Sequence, residues 1–328
     1  MEQRRFSGKG HWYHETQSNH SQTDVLPLVP EAANVDDRFL LDLALPDDIL
    51  ASCAGWLAPA RTLCHLLFPL DTPVSRLHTL SAYDRLSTAL TVAQACGVQR
   101  LCNHYAALLA PLPGPDSSRE SNRRLAEITQ YARQLASSPD VIDDKAQNQL
   151  DEVGLTTYDI VLINQIIGFV GFQARVVAVF QALLGHPVRW LPGHHIQPHT
   201  LPVSFSRWTA TLPAVELKYA SALQLEALSR WQAEPALEAL TPVLCHEPML
   251  LNLTGEILLN HPLSEGPASS MISAARALLV ASPDRFSAAQ LTPLTGSGLL
   301  PEKAINLLTR DAFYGWLNRL RVALGKEE

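Results

Sequence analysis

The sequence has no excess of positive charge. Its 25 Lys and Arg residues are outnumbered by 32 Asp and Glu residues, and the net charge at pH 7 is -7. Proteins that bind nucleic acid or anionic membranes use basic side chains to neutralise phosphate groups. We therefore expect no nucleic acid and no membrane among the partners of this chain, and we expect a small-molecule substrate or another protein instead.

Cysteine is scarce, and the N-terminal stretch MEQRRFSGKGHWYHETQ lacks the apolar segment of a secretory signal. Five cysteines, an odd number, do not make the disulfide framework of a small secreted domain. Both absences favour a reducing environment, and we expect a cytoplasmic protein.

Long uninterrupted apolar runs are also missing. The most apolar stretch, IVLINQIIGFVGFQARVVAVFQALLG, is interrupted by Asn164, Gln165, Gln173 and Arg175. A membrane-spanning helix needs roughly 18 or more apolar residues in succession. The stretch therefore predicts a buried helix of a soluble protein.

Alternation of apolar and polar residues, the pattern of a half-buried strand, is nowhere sustained. Helical spacing of apolar residues recurs almost throughout, as in SAYDRLSTALTVAQ. There Ser81 followed by Asp84 resembles a capping box at the start of a helix. We predict an all-α fold.

An internal repeat is the most informative feature. Residues 128–175 align with residues 272–319 at a constant offset of 144, without a gap. Each copy predicts a helix that runs into SPD, a short helix that ends at a glycine, and a long helix. We therefore predict two tandem helical units formed by internal duplication, the second of them shortened. The matched positions are Ser138–Pro139–Asp140 with Ser282–Pro283–Asp284, Leu150 with Leu294, Gly154–Leu155 with Gly298–Leu299, Phe169 with Phe313, Gly171 with Gly315, Arg175 with Arg319, and the aromatic pair Phe172 and Trp316.

The ends of the long helices can be predicted from local residue types. Thr157 is the expected N-cap of the first long helix, and Pro301 is expected at the first helical position of the second. Gly185 and Gly325 are expected to adopt the left-handed conformation that terminates a helix.

Two pairs of equivalent residues lie inside these long helices. Gly171 and Gly315 each cost about 1 kcal/mol relative to alanine, so we expect the backbone of a neighbouring helix to approach them closely. Arg175 and Arg319 occupy equivalent places, which predicts an ion pair or a helix-capping role shared by both copies.

Composition divides the chain into four parts. We predict a poorly ordered polar arm over residues 1–35 and a first unit over 36–188 that carries any active site. A Pro- and His-rich linker over 189–215 is expected to lead into a degenerate second unit over 216–328.

The two endings RDAFYGWLNRLRVALG and QIIGFVGFQARVVAVFQALLG follow an SPD turn and an L..GL corner. With these features the chain resembles the superfamily of alkylhydroperoxidase (AhpD)-like proteins and carboxymuconolactone decarboxylases, and most closely its peroxidase-related branch. The resemblance covers most of residues 75–190 and of 240–325. It implies an all-α fold, a thiol or acid/base active site, no cofactor, and assembly into a homo-oligomer.

The catalytic pattern of this family is a glutamate, eleven residues, CxxC, three residues and a histidine. The glutamate and the histidine relay a proton that keeps one thiol ionised. Aligning Asp84 with the glutamate places Cys96 on the first cysteine. Gln99 and Asn103 then replace the second cysteine and the histidine, and His104 follows one residue later. The resemblance therefore implies an incomplete catalytic set.

Cys102 could replace the missing second thiol. On one continuous helix, Cys96 and Cys102 would be separated by about 9 Å of rise, whereas a disulfide needs Cα atoms within about 7 Å. A helix break at Gly97 would bring them closer. The alternative is that both cysteines fill a core as small apolar residues.

Two further interpretations stay open. Cys96, Arg100 and His104 recur at every fourth position, so on one helix face the cation would lower the pKa of the thiol. His104 and Tyr105 could instead serve as a general acid and base without any thiol.

The remaining cysteines and histidines predict structural roles, and we expect no metal site. Cys53, Cys64 and His65 lie in an apolar helical stretch, and Cys245 and His246 lie in the degenerate unit. Gly-rich phosphate loops, nucleophile elbows and HExxH motifs are missing. Outside the helices the chain has His11 and His14 in the arm and His194, His195 and His199 in the linker.

These observations leave three functional hypotheses. The leading one is an oxidoreductase that uses Cys96 or Cys102, with His104 and Asp84, to reduce a peroxide or similar small substrate, and that needs a thiol reductant. The second is a non-catalytic binding or scaffold protein that retains the fold. The third is cysteine-independent acid/base chemistry of the carboxymuconolactone decarboxylase type.

Overall fold

A computed structural model describes residues 32, 34–187, 196–197, 208–261 and 270–327 of the chain. The described residues are mostly helical, which confirms the predicted all-α fold. Their helices are α1 (Asp47–Leu67), α2 (Ala82–Cys96), α3 (Gln99–Leu109), α4 (Arg119–Ser137), α5 (Asp144–Glu152), α6 (Thr157–Leu183), α7 (Ala222–Trp231), α8 (Thr241–Leu244), α9 (Pro248–Leu259), α10 (Ser270–Ala281), α11 (Ala288–Gly296) and α12 (Pro301–Leu324).

Helix α6 lies at the centre of the protein. Its most extensive helix contact is with α12, and α2, α4 and α11 also pack against it. Helix α1 packs on α9 and α12. One apolar core therefore runs through both halves of the described chain.

The sequence of α6 explains this central position. The helix is apolar on every side, and it is long and apolar enough to cross a membrane, but 89% of its most apolar window is buried inside the protein. Burial on all sides is typical of a core helix in a soluble protein. The N-cap is Thr156, which forms a capping box with Asp159. The prediction of Thr157 as N-cap is therefore wrong by one residue, because the reciprocal bonds to Asp159 need the cap three positions earlier.

The described helices of the two repeated stretches lie at equivalent positions at the offset of 144 residues. Helices α4 and α10 end at equivalent positions, α5 and α11 have equivalent bounds, and α6 and α12 begin at equivalent positions. Ser138 and Ser282 have nearly the same backbone angles, with φ of -145° and -150° and ψ of 67° in both. Gly154 and Gly298 both have positive φ, of 85° and 93°. Hereafter, residues 126–183 are called the first segment and residues 270–324 the second segment.

Aromatic side chains pack reciprocally where α6 crosses α12. Phe169 contacts Trp316 edge-on with ring centroids 5.8 Å apart, and Phe172 contacts Phe313 edge-on at the same distance. At the offset of 144, Phe169 is equivalent to Phe313, and Phe172 is equivalent to Trp316. Each of the two contacts is therefore the counterpart of the other. This geometry is that of a local two-fold relation between the segments.

Two other helix ends follow the local prediction, and the one at the C-terminus does not. Gly185 has a positive φ of 66° after α6, and α12 begins at Pro301, as predicted. Gly325 is extended, with φ of -169°, so its predicted left-handed conformation is wrong. It instead begins strand β2 (Gly325–Glu327), which pairs antiparallel with β1 (Trp208–Ala210). Part of the predicted linker is therefore a strand.

The group that lies nearest to each glycine inside the long helices is not the one we expected. A Cβ atom at Gly171 would lie 3.5 Å from Nη1 of Arg175, and one at Gly315 would lie 3.6 Å from Nη1 of Arg319. The group that approaches each glycine is thus a guanidinium of the same helix, and the predicted approach of a neighbouring helix backbone is wrong. Contact between α6 and α12 is tightest at Gly168, where a Cβ would lie 1.8 Å from Cδ1 of Trp316.

The variant Gly168→Ala should destabilise the protein. The added methyl group overlaps the Trp316 ring in a packed core, which typically costs 1–3 kcal/mol. Gly296→Ala is the matched control, because its Cβ meets no atom within 4 Å at the end of α11, and alanine there should be neutral or stabilising. Urea unfolding of both variants checks the prediction. Equal stability of the two variants would contradict the tight crossing.

Candidate functional site

A break between α2 and α3 determines the geometry around the first candidate cysteine. Gly97 adopts a left-handed conformation, with φ of 70°, and ends α2 directly after Cys96. Cys102 and His104 lie on the next helix, α3. The expected single helix face of Cys96, Arg100 and His104 is therefore wrong, because the regular four-residue spacing does not continue through the break.

Cys96 faces two buried arginines that come from the repeated positions. Burial raises the pKa of the Cys96 thiol, and the guanidinium of Arg175 opposes this by its charge and as a hydrogen-bond donor. The positive charge of Arg319 also acts on this thiol. All three residues are buried, with exposed fractions of 2% for Cys96, 2% for Arg175 and 9% for Arg319. A buried thiol and two buried cations thus form one polar cluster, hereafter the Cys96 cluster.

Arg175 and Arg319 hold the two segments together through reciprocal hydrogen bonds. Arg175 donates from Nη2 to the carbonyl of Val280 at the end of α10, at 2.7 Å. Arg319 donates from Nη2 to the carbonyl of Ala136 at the end of α4, at 3.0 Å. The two acceptors are equivalent positions at the offset of 144. Each arginine therefore binds the last turn of the helix in the other segment, where cations interact favourably with unpaired carbonyls.

Each arginine also binds its own helix. Nη1 of Arg175 donates to the Gly171 carbonyl at 2.8 Å, and Nη1 of Arg319 donates to the Gly315 carbonyl at 3.0 Å. Of the two predicted roles for this pair, the structure confirms helix capping. No carboxylate ion pair to either arginine occurs among the described residues.

A short piece of the predicted linker covers the same helix ends. The backbone N–H of Ile196 donates to the Ala281 carbonyl at 3.0 Å, and that of Gln197 donates to the Ser137 carbonyl at 2.8 Å. Ser137 and Ala281 are again equivalent residues. The Ile196 side chain is fully buried. These two residues therefore lie across the ends of α4 and α10, close to where the arginines bind.

The electrostatics of the Cys96 cluster combine two opposing effects. Burial raises the pKa of the Cys96 thiol, while Arg175 and Arg319 act to lower it. Burial also lowers the pKa of Arg175. The pKa of Arg319 falls to about 9, first because of burial and second because of the like charge on Arg175. Negative charge on Cys96 would favour the charged form of both arginines, but burial prevails and the charge of Asp284 acts in the same direction, so the pKa of the thiol is raised.

Cys102 is the second thiol near this corner. It is 8% exposed, and burial raises its pKa to about 12, with the charge of Cys96 as the next cause. Charge on one sulfur therefore affects the other. Because the chain breaks at Gly97, Cys96 and Cys102 do not lie on one continuous helix.

His104 lies away from the two arginines, under the N-terminal part of the described chain. Its Nδ1 donates to the Ala32 carbonyl at 3.2 Å, and its buried Nε2 has no hydrogen-bond partner among the described residues. Burial lowers the pKa of His104 to about 4. The neighbouring Tyr105 donates to Oε1 of Gln173 at 2.7 Å, and burial raises its pKa. Both side chains are engaged in the core.

The other two candidate residues have structural contacts. Asp84 accepts hydrogen bonds from Ser81 in a capping box, which was predicted, and lies 3.6 Å from Arg124. It precedes Cys96 by twelve residues on α2, which is about 18 Å along the axis. Arg100 donates to the carbonyl of Leu41. Asp84 and Arg100 are therefore not brought together with Cys96.

The remaining candidates do not form a metal or thiol site in the described residues. Cys53, Cys64 and Cys245 are buried free thiols whose pKa values are raised by burial. Groups of three or more potential metal ligands are not found in the part of the chain that the structure describes. His11, His14, His194, His195 and His199 lie outside the described residues.

Two surface clefts also lie away from the predicted site. The larger has a volume of about 640 Å³ and the smaller about 310 Å³, and neither contains Cys96, Cys102 or His104. Polar side chains near α5 line the first, and residues around the start of the described chain line the second. The lining residues are Asp143, Asp144, Lys145, Asn148, Gln149, Glu152 and Lys326 in the larger cleft and Asp36, Asp37, Arg38, Phe39, Arg61 and His65 in the smaller one.

Sequence reasoning missed the contact between Cys96 and the two arginines. The repeat identified Arg175 and Arg319 as an equivalent pair, but nothing local connects them with a cysteine 79 residues away from the nearer one. The available signal was Arg175, an arginine inside α6, which is otherwise apolar and buried.

Comparison with known proteins adds no relative. The sequence matches no model of a known protein family. A search of curated proteins also finds no match.

Stability should decrease as the pH falls from 7 to 5, because two histidines are buried in their neutral form. Burial lowers the pKa of His104 to about 4 and that of His261 to about 3, from an unfolded value of 6.5. A depressed folded pKa gives stability that is present above 6.5 and is lost as the pH falls through the unfolded value. Each histidine should account for a loss of about 2 kcal/mol by pH 5.

Urea unfolding at pH 7 and pH 5 tests this expectation. His104→Gln should lose about 2 kcal/mol less than the unmodified protein over that interval. His65→Gln, which changes an exposed histidine on α1, should keep the original pH dependence. If His104→Gln also keeps it, His104 is not buried as a neutral ring.

Proposed function

We propose that the chain is a thiol-dependent oxidoreductase related to the alkylhydroperoxidases, with Cys96 as the attacking residue. The observation that carries the proposal is the placement of two buried guanidinium groups, those of Arg175 and Arg319, near the buried Cys96 thiol, where both act to lower its pKa against the effect of burial. Thiolate is the nucleophilic form of cysteine, and neighbouring cations favour it. No arginine acts on the thiols of Cys53 and Cys245, and only one, Arg38, acts on the thiol of Cys64.

The chemistry balances with one external reductant. The Cys96 thiolate attacks one oxygen of a hydroperoxide, the O–O bond breaks, and the other oxygen leaves as an alcohol after taking up a proton. Cys96 becomes a sulfenic acid. The Cys102 thiol then attacks the sulfenic sulfur, and a disulfide forms with loss of water. Two thiol groups of a small reductant return both cysteines to the reduced form by thiol–disulfide exchange.

The arginines have a defined part in this proposal. Arg175 and Arg319 carry positive charge in a region where desolvation opposes it, so the thiolate formed by proton loss from Cys96 is stabilised by both. The same two side chains cap α10 and α4. Oxidation at Cys96 would therefore act directly on the contacts that join the two segments.

We further infer that the two segments are an internal duplication. The equal helix bounds, the exchange of aromatic contacts and the reciprocal arginine bonds support this interpretation. The cytoplasmic location is supported by five cysteines that are all free. The resemblance to the alkylhydroperoxidase family and the expected homo-oligomer stay predictions.

Burial favours a second candidate, the non-catalytic binding or scaffold protein. All five thiols are buried, and burial raises the pKa of each. In this case Arg175 and Arg319 serve only as helix caps, and Cys96 fills the space between them. Acid/base chemistry at His104 has less support, because Nδ1 is engaged by Ala32 and the ring is 1% exposed.

Stoichiometric hydrogen peroxide should oxidise Cys96 first. Alkylation after a timed exposure, followed by peptide mass spectrometry, measures each cysteine separately. We expect a sulfenic acid at Cys96, or a disulfide to Cys102, at least tenfold faster than oxidation of Cys64 or Cys245. Cys102→Ser should stop the reaction at the sulfenic acid of Cys96.

Variants of Arg175 separate charge from capping. Arg175→Gln should slow oxidation of Cys96 at least tenfold, and Arg175→Lys should slow it less because the positive charge remains. Arg321→Gln is the control. Arg321 is a buried arginine on α12, like Arg319, but it donates hydrogen bonds to Asn318 and to the Ala236 carbonyl. Slow and equal oxidation of all cysteines in the folded protein would exclude the oxidoreductase and leave the scaffold.

A further inference from the structure

Residues 196–197 have neither helical nor strand structure and lie across the ends of α4 and α10. They are hereafter called the Ile196 strap. The N–H of Ile196 donates to the Ala281 carbonyl at 3.0 Å, and the N–H of Gln197 donates to the Ser137 carbonyl at 2.8 Å. Because Ser137 and Ala281 are equivalent at the offset of 144, the strap bridges equivalent points of the two segments.

The strap is anchored beside the arginines of the Cys96 cluster. Arg175 donates to the Val280 carbonyl, and the strap binds the next residue of the chain at the end of α10. Arg319 donates to the Ala136 carbonyl, and the strap binds the next residue at the end of α4. Consecutive Cα atoms are about 3.8 Å apart. At both helix ends, each anchor of the strap therefore adjoins a carbonyl that a cluster arginine caps.

Cys96 lies at the same junction between the segments. The charges of Arg175 and Arg319, which are equivalent residues, both act on its thiol. A group that lies near both members of an equivalent pair is close to the line about which the two segments are related. The thiol and the strap are thus both placed where the segments meet, and the same two guanidinium groups adjoin both of them.

Fewer contacts hold the strap than hold the helices around Cys96. Helix α2, which ends at Cys96, packs extensively against α4 and α6. The described contacts of the strap are two backbone hydrogen bonds and the Ile196 side chain, which is fully buried in the core. Segments with few buried contacts open at a lower free-energy cost than core helices. Local opening at this junction therefore starts with the strap.

We propose that the Ile196 strap controls access to Cys96, because the buried Ile196 side chain closes the route by which a small neutral molecule reaches the thiol. Local opening of the strap exposes Cys96 while the helices stay folded. The proposal deepens the proposed function, and its meaning for the protein rests on Cys96 as the attacking residue there. Ile196 limits access and takes no part in the chemistry.

Alkylation by N-ethylmaleimide, a small neutral reagent, tests the proposal on the full chain without peroxide. Peptide mass spectrometry after timed exposure gives a separate rate for each cysteine. Ile196→Ala shortens the side chain that closes the route, so the rate at Cys96 should rise by about tenfold or more. The rates at Cys64 and Cys245, which are buried on other helices, should stay within about twofold of their original values.

Two further variants complete the test. Ile257→Ala is the matched control, because Ile257 is also fully buried but lies on α9, which packs against α1 and α7. It should leave the rate at Cys96 unchanged. Gln197→Pro removes the N–H that binds the Ser137 carbonyl and keeps Ile196, and it should also raise the rate at Cys96.

The variants are compared where circular dichroism shows a cooperative melt, and Gln197→Pro decides where Ile196→Ala does not fold. A rate at Cys96 no higher than in Ile257→Ala would overturn the proposal. An equal rise at Cys64 and Cys245 would also overturn it, since the thiol would then be reached through general unfolding.

The access proposal and the proposed function fail separately. Selective alkylation of Cys96 in Ile196→Ala, with slow and equal peroxide oxidation of all cysteines in that variant, would retain the strap and exclude the oxidoreductase. Selective peroxide oxidation of Cys96 at the same rate in Ile196→Ala and in the unmodified protein, with alkylation also unchanged, would retain the oxidoreductase and reject the strap.

Discussion

The crossing of α6 and α12 determines the arrangement of the rest of the described structure. At this crossing Arg175 binds the end of α10, and Arg319 binds the end of α4, so each segment supplies the cap for the other. Two guanidinium groups are thereby brought into an interior where burial disfavours their charge. Four backbone carbonyls accept hydrogen bonds from the two guanidinium groups. Cys96 is a nearby group whose ionisation would compensate the positive charge of the two arginines.

This arrangement connects stability with reactivity. The Cys96 thiol lies near two buried cations, and the same two cations cap the ends of α10 and α4. The same charges favour a thiolate, which burial disfavours. Which effect prevails determines whether the chain is an oxidoreductase or a scaffold.

Features that depend on local spacing could be predicted from the sequence. The all-α fold, the capping box of Ser81 and Asp84, and the glycines after α5 and α11 follow from residues within a few positions of each other. The equivalence of Arg175 and Arg319 followed from the repeat, which left an ion pair and a helix cap open as their role. Features set by distant pairing were missed. Gly325 is extended because β1 pairs with it, and a left-handed conformation would break that pairing.

The candidate site was predicted in part. Cys96 was selected from a family pattern, but its partners Arg175 and Arg319 lie on other helices, and no local pattern encodes that contact. Asp84, Arg100 and His104 were grouped with it by spacing along one helix, which Gly97 interrupts. The burial of His104 depends on the chain around Ala32, more than 70 residues earlier. Sequence spacing therefore found the thiol and assigned it the wrong neighbours.

A double-mutant cycle on the two arginines tests the central claim most directly. Arg175→Met and Arg319→Met, alone and together, are compared by free energy of unfolding in urea. If both guanidinium groups face each other across Cys96, each single variant also relieves their repulsion, so the double variant should lose more stability than the sum of the single losses, by about 1 kcal/mol. Losses that simply add would show that the two arginines do not share one site, and would contradict the account.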